Sequence, residues 1–171
     1  APGKENKNAH KPWDDVKLEG NVSNEFLFNT LVATDLVPFG TLGRKLIFLP
    51  IFIKRGKVEM FSSSKHLEII QTDTSDYLEK VEKEWKKHST GAASKMSTYE
   101  YINYQGKLTR QNVNAKFKVL YAGSATYMTS CVIEQQKKCH FTINNTTFDS
   151  NSFIADVATY YYDTDSEDEA Y

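Results

Sequence analysis

The chain has 171 residues, with 21 Lys and Arg against 22 Asp and Glu and 40% hydrophobic residues. This length suits one domain with a proper core and no need for staples. No stretch approaches the roughly eighteen apolar positions of a membrane span, and neither a membrane nor nucleic acid is expected as a partner.

Residues 1–12 are polar, carry proline and glycine, and read as a flexible basic arm. Order is expected from Trp13. Strand-like apolar clusters then recur at 25–33, 45–53, 57–61 and 67–72, separated by turn signals at Pro38-Phe39-Gly40, Gly43, Arg55-Gly56-Lys57 and Ser62-Ser63-Ser64. The longest apolar run, 46–53, is interrupted by Pro50 and reads as a buried strand with a bend there. Residues 75–88 break the pattern. Tyr77, Leu78, Val81, Trp85 and His88 share one helical face, acids lie early, lysines lie late and Gly91 follows. The aromatic stripe of this helix reads as packing.

Strand character returns at 98–104, 108–111, 116–121, 126–133 and 138–143. Within 116–121, Lys116 and Lys118 are assigned to one face and Phe117 and Val119 to the other, as in a half-buried strand. Residues 150–162 place Phe153, Ile154, Val157, Tyr160 and Tyr161 at spacings of three and four and are read as an amphipathic helix. About eight strands in hairpin order predict a mainly β fold. The expected form is an antiparallel up-and-down barrel over residues 13–162 with an inserted helix and a C-terminal helix. The alternative is an α+β fold with the 76–88 helix packed on an antiparallel sheet.

Cys131 and Cys139 lie eight apart and, with the four histidines, form no metal-ligand spacing, so a disulfide across a hairpin is favoured. Sequons at Asn21, Asn144 and Asn145 agree with an oxidising compartment. With the even cysteine count and a first residue other than methionine, they are read as a mature, secreted, extracellular glycoprotein.

The order of elements resembles a lipocalin, in particular the divergent secreted lipocalins of blood-feeding arthropods such as ticks. The similarity is carried by residues 116–162: a strand ending Val119-Leu120-Tyr121, a strand bearing Cys131-Val132-Ile133, a charged hairpin, and Cys139-His140-Phe141-Thr142. Trp13 stands where such proteins have a tryptophan before the first strand, in Lys11-Pro12-Trp13 rather than Gly-x-Trp. The resemblance implies a cup sequestering a small amphipathic ligand, a biogenic amine or a fatty acid derivative. Phe28, Phe48, Phe52, Tyr99, Tyr101 and Tyr121 are candidate lining residues, and Glu59 is a candidate for meeting an amine. No cofactor is implied.

No catalytic motif is present: there is no Gly-x-Ser-x-Gly, His-Glu-x-x-His, phosphate-binding loop or dinucleotide fingerprint. The chain therefore reads as a binder and not an enzyme. Its end suggests a second binding mode. Tyr160, Tyr161, Tyr162, Asp163, Asp165, Glu167, Asp168 and Glu169 form an acidic, tyrosine-rich stretch, with 163–171 read as a solvated tail. Five of the 22 acids lie there, leaving a mildly basic body. Tyrosines beside acids are the setting in which secreted proteins become sulfated, and such tails resemble those that engage thrombin-like proteases or chemokines. A basic extracellular protein is the alternative partner.

Overall fold

A computed structural model describes residues 11–62, 72–123, 129–135, 139–143 and 145–171. The chain divides into two compact units, one of Ala1–Ser23 with Phe61–Asn103 and one of Asn24–Met60 with Tyr104–Tyr171. Most of the expected basic arm and most of the expected strand at 67–72 lie outside the described residues, as does Asn144. Thr72, the last residue of that expected strand, instead opens a helix.

The first unit is helical. Helix α1 (Thr72–His88) carries Asp73 in its first turn and Lys86, Lys87 and His88 in its last, the charge order that complements the helix dipole. It buries Thr74, Ser75 and Leu78. The N-terminal segment lies along it: Ser23 N donates to Thr74 Oγ1 at 3.0 Å, and Gly20 lies so close to Tyr77 that a Cβ there would sit 2.6 Å from the ring. The helix ends at His88, and in the turn that follows Gly91 takes φ +60°, open to glycine without cost.

Where sequence alternation predicted a strand at 98–104, the chain forms helix α2 (Thr98–Ile102). The cause is local. Glu100 N donates to Ser97 Oγ at 3.2 Å, and Ser97 N donates to Glu100 Oε2 at 2.7 Å. This reciprocal cap satisfies two of the helix's orphan donors and outweighs a tyrosine alternation that fits a strand.

The second unit is made of short strands: β1 (Leu27–Thr30), β2 (Leu36–Val37), β3 (Gly40–Thr41), β4 (Lys45–Phe48), β5 (Ile51–Lys54), β6 (Lys57–Met60), β7 (Phe117–Ala122), β8 (Ser130–Glu134), β9 (His140–Ile143), β10 (Thr146–Asp149), β11 (Asn151–Phe153) and β12 (Thr159–Thr164). A short helix α3 (Glu167–Ala170) follows. Pro50, at a bend, divides the apolar run into β4 and β5, which join different sheets in place of the single bent strand expected, and Arg55 and Gly56, both at positive φ, turn β5 into β6. Gly56 also presses on the Asn114 side chain, where a Cβ would collide.

These strands do not close into a barrel, which corrects the expected up-and-down fold. They form five small sheets, ordered β11-β1-β4, β10-β9, β12-β7-β8, β2-β3 and β5-β6. The one-helix-on-sheet alternative fails as well, since its strand at 98–104 is helix. Two physical reasons stand out. Strands of two to six residues are too short to wrap a tilted wall. In addition, β1 pairs in parallel with β11, far along the chain, instead of with a hairpin neighbour. Polar side chains hold that pairing: Asn29 Nδ2 donates to Asn151 O at 2.7 Å and to Ser150 Oγ at 3.1 Å, and Thr30 Oγ1 donates to Ile154 O at 2.7 Å.

The expected helix at 150–162 is likewise replaced by β11 and β12. The core of the unit gathers Leu31, Leu36, Leu120, Cys131, Ile133, Phe153 and Ala155. Among these, wholly buried Leu31, Leu120 and Phe153 each contribute about 1.5–3 kcal/mol by leaving water. Buried Gln111 satisfies the chain after β11, accepting from Ala155 N at 2.8 Å and donating to Ala155 O at 3.0 Å.

Candidate functional site

The seven residues proposed to line a cup do not line one. Phe28 is fully buried in β1, and Phe48 packs edge-to-face on Phe26 with centroids 6.3 Å apart. Phe52 and Glu59 are exposed and directly opposite each other on β5 and β6. Tyr121 is exposed on β7, whereas Tyr99 and Tyr101 belong to the helical unit. The small separate sheets give these residues no common interior.

Cys131 and Cys139, expected to be bridged, are free thiols. Burial pushes the Cys131 thiol up, with the Arg44 charge pulling the other way. Cys139 Sγ instead receives Arg44 Nη1 at 3.0 Å, and the same nitrogen donates to Asn29 Oδ1 at 3.1 Å. Asn21 and Asn145 are exposed. Among the described residues, no group of three or more His, Cys, Asp or Glu side chains is placed to hold a metal ion. No described helix is long and apolar enough to cross a membrane.

What the structure does bring together is the acidic, tyrosine-rich end of the chain, and it does so by folding it. Residues 160–164 belong to β12, paired antiparallel with β7 in the register Tyr160↔Tyr121, Tyr161↔Leu120, Tyr162↔Val119, Asp163↔Lys118 and Thr164↔Phe117. The two-residue period of a strand sorts these pairs onto two faces.

Tyr161, Leu120, Asp163 and Lys118 turn inward. Lys118, assigned to the solvent face from the alternation at 116–121, is 0% exposed. Its Nζ donates to Asp163 Oδ1 at 2.5 Å and lies 4.5 Å from the Tyr161 ring centroid. Asp163 also accepts from Asn112 N at 2.9 Å, so the buried charges are paired and hydrogen-bonded. Burial lowers the Lys118 ammonium from its ordinary range, and Asp163 opposes that shift. The Tyr161 phenol is raised, first by burial and then by the Asp163 charge. A lysine in an alternating strand signals solvent unless its acidic partner is known, and that partner lies 45 residues away.

Tyr160, Tyr162 and Tyr121 face outward, each about half exposed. Tyr121 and Tyr160 stack with centroids 5.4 Å apart and planes 14° apart. Tyr162 OH donates to Glu169 Oε2 at 3.2 Å, which raises its phenol. Glu169 also accepts from Thr164 Oγ1 at 2.5 Å, and Ser166 Oγ caps helix α3 by accepting from Glu169 N at 3.4 Å. Exposed Tyr171 meets Phe117 edge-on at 6.3 Å. Asp165 accepts from Lys116 N at 2.9 Å.

The five tail carboxylates therefore divide. Asp163, Asp165 and Glu169 hold the fold, while Glu167 and Asp168 are exposed and make no side-chain hydrogen bond or ion pair among the described residues. The outer face offers tyrosine rings to cations and hydroxyl-bearing groups, bordered by two uncommitted carboxylates. No family model matches this chain, and no curated protein or solved structure matches it either.

Proposed function

We propose that this chain is an extracellular binding protein that engages a basic partner protein through the outer face of β12 and β7 and the adjoining helix α3. The observation that carries this reading is the exposed tyrosine set, Tyr121, Tyr160, Tyr162 and Tyr171, held beside the uncommitted Glu167 and Asp168. Exposed aromatic clusters with polar rims are the usual makings of a protein interface. Lys and Arg side chains fit this one. An uncovered ring offers about 0.5–1 kcal/mol to a cation at an exposed site, as the Tyr160 ring already does for Lys107 Nζ at 5.6 Å, and the two acids speed encounter with positive charge. The exposed sequon residues Asn21 and Asn145 support the extracellular setting.

The partner engages a preformed surface and not a flexible charged tail. Aromatic contact should then contribute alongside charge. The test is a titration of the full chain with a fluorescent arginine-rich peptide and its glutamine counterpart, at low and at physiological salt. The arginine peptide is expected to bind, more weakly as salt rises, and Tyr160→Ser with Tyr162→Ser is expected to weaken it further at both salt levels. Equal binding of the glutamine peptide, or unchanged affinity in the tyrosine variant, overturns the reading.

A further inference from the structure

The turn of the β5–β6 hairpin gathers three exposed cations, Lys54, Arg55 and Lys57. None makes an ion pair or a side-chain hydrogen bond among the described residues. Lys54 and Lys57 stand directly opposite each other, and like charges in that position weaken a hairpin. Arg55 takes φ +51°, a left-handed conformation that disfavours a long side chain. Phe52 is exposed on the same outer face as the two lysines, and the hairpin's acid, Glu59, sits farther from the turn, opposite Phe52. An Asn-Gly turn flanked by opposite charges would serve the hairpin better. The tip carries charge that its own fold does not use.

The tip also has a fixed place. Lys57 forms a β-bridge with Asn112, and Gly56 lies against the Asn114 side chain. Asn112 N donates in turn to Asp163 of β12 at 2.9 Å. The basic tip therefore borders the end of β12 that carries Tyr162 and leads into α3, where Glu167 and Asp168 are exposed and uncommitted. That end of the tyrosine face is also the open one, since the Tyr160 ring at the other end already carries Lys107 Nζ. Within one molecule the two patches lie side by side, and no ion pair among the described residues joins them.

We infer that the basic partner of the tyrosine face is a second copy of this chain, in a two-fold dimer in which the β5–β6 tip of each copy lies on the outer face of the other. This rests on the reading of that face given above and names its partner. Charge complementarity selects the occupant: Lys54, Arg55 and Lys57 meet Glu167 and Asp168, and the Arg55 guanidinium lies on the Tyr162 and Tyr171 rings, which suit a flat cation. The two-fold arrangement follows from adjacency. A two-fold interface uses the same surface of both copies, so a patch and its complement must lie together on one molecule, as they do here. The near-balance of 21 basic and 22 acidic residues lets two copies approach without net repulsion.

Sedimentation velocity of the full chain over a concentration series, at low and at physiological salt, reads the association. A monomer–dimer equilibrium is expected, weaker as salt rises. One variant carries Lys54→Glu, Arg55→Glu and Lys57→Glu, and a second carries Glu167→Lys and Asp168→Lys. Each alone should lose affinity for itself about a hundredfold or more, because like charges then face each other across both contacts. Mixed in equal amounts, the two should dimerise with one another, since the acidic tip of the first meets the basic face of the second and the reverse contact is restored as well. All five positions are exposed, so neither variant disturbs the core, and dimerisation of the mixture shows that both fold. A chain that stays monomeric at every concentration, a tip variant that dimerises like the original, or a mixture that does not associate overturns the proposal. The arginine-rich peptide separates this outcome from the fate of the face itself: a monomeric chain that binds the peptide keeps the face and loses only the second copy, whereas loss of both dimer and peptide binding removes both.

Discussion

The two units hold their aromatic rings by different means. In the helical unit, side-chain hydrogen bonds hold them: Trp85 to Met96 O and Tyr99 to Glu82. In the sheet unit, backbone register does the work, since pairing β12 with β7 turns Tyr160 and Tyr162 out and Tyr161 and Asp163 in. Rings held by register depend on whatever fixes the register. Here that is a buried ion pair, Lys118 with Asp163, directly cross-strand. Rings held by hydrogen bonds depend on α1 and on the capped short helix α2. The first arrangement presents a face, and the second frames a cavity beside Trp85.

Breaking the ion pair should give the largest effect. Lys118→Ala leaves Asp163 buried without its cation, a loss of about 3–5 kcal/mol in the usual range for such disruptions, measurable as a fall in the denaturant midpoint. Replacing both partners, Lys118→Met with Asp163→Leu, should recover most of that loss, because the pair's net worth is far smaller than the cost of orphaning one charge. A double variant no better than the single one would show that Asp163 is needed for its bond to Asn112 N.

Next is Gly56→Ala in the turn between β5 and β6. At φ +79° and against Asn114, a methyl group costs about 1–2 kcal/mol by backbone strain alone, read from the same midpoint. On the helical side, Ser97→Ala removes the cap of α2 and should cost about 1 kcal/mol, accompanied by displaced resonances for residues 97–102.

The smallest effect is a pH dependence of that same cap. The Ser97 backbone N–H, then its hydroxyl, hold the Glu100 carboxyl below its ordinary range. With the folded value below the unfolded one, the unfolded chain binds more protons in between. The contribution is therefore complete above the ordinary carboxylate range and is lost as pH falls through the depressed folded value. Glu100→Gln should flatten this acid-side change at the α2 amides, whereas an unaltered profile would place it elsewhere.

Local signals in the sequence were legible where one chemistry dominated. Helix α1 was readable between Ser75 and His88 from its apolar stripe and charge order, and the Arg55-Gly56 turn from its residues. Tyrosine-rich stretches misled in both directions. Residues 98–104 alternate like a strand, yet Ser97 and Glu100 cap a helix; residues 150–162 space like a helix, yet Tyr160–Tyr162 lie in β12. The Ser97-x-x-Glu100 signature was the available clue to the first. Nothing local gave the second, because it rests on Asp163 reaching Lys118. The closure of strands into a barrel was inferred from their number, and number says nothing of the long-range β1–β11 pairing that Asn29 and Thr30 secure. Of the candidate site, the acidic, tyrosine-rich stretch stands out by composition, but its arrangement as a folded face was not legible.

The central claim is that this acidic, tyrosine-rich end is a folded surface. Amide hydrogen exchange across residues 159–171 tests it most directly. Protection of alternate amides in β12, matching that of their partners in β7, together with slowed exchange at Glu169 and Tyr171 in and after α3, is the predicted result. Exchange of all these amides at the rate of an unstructured chain would contradict it.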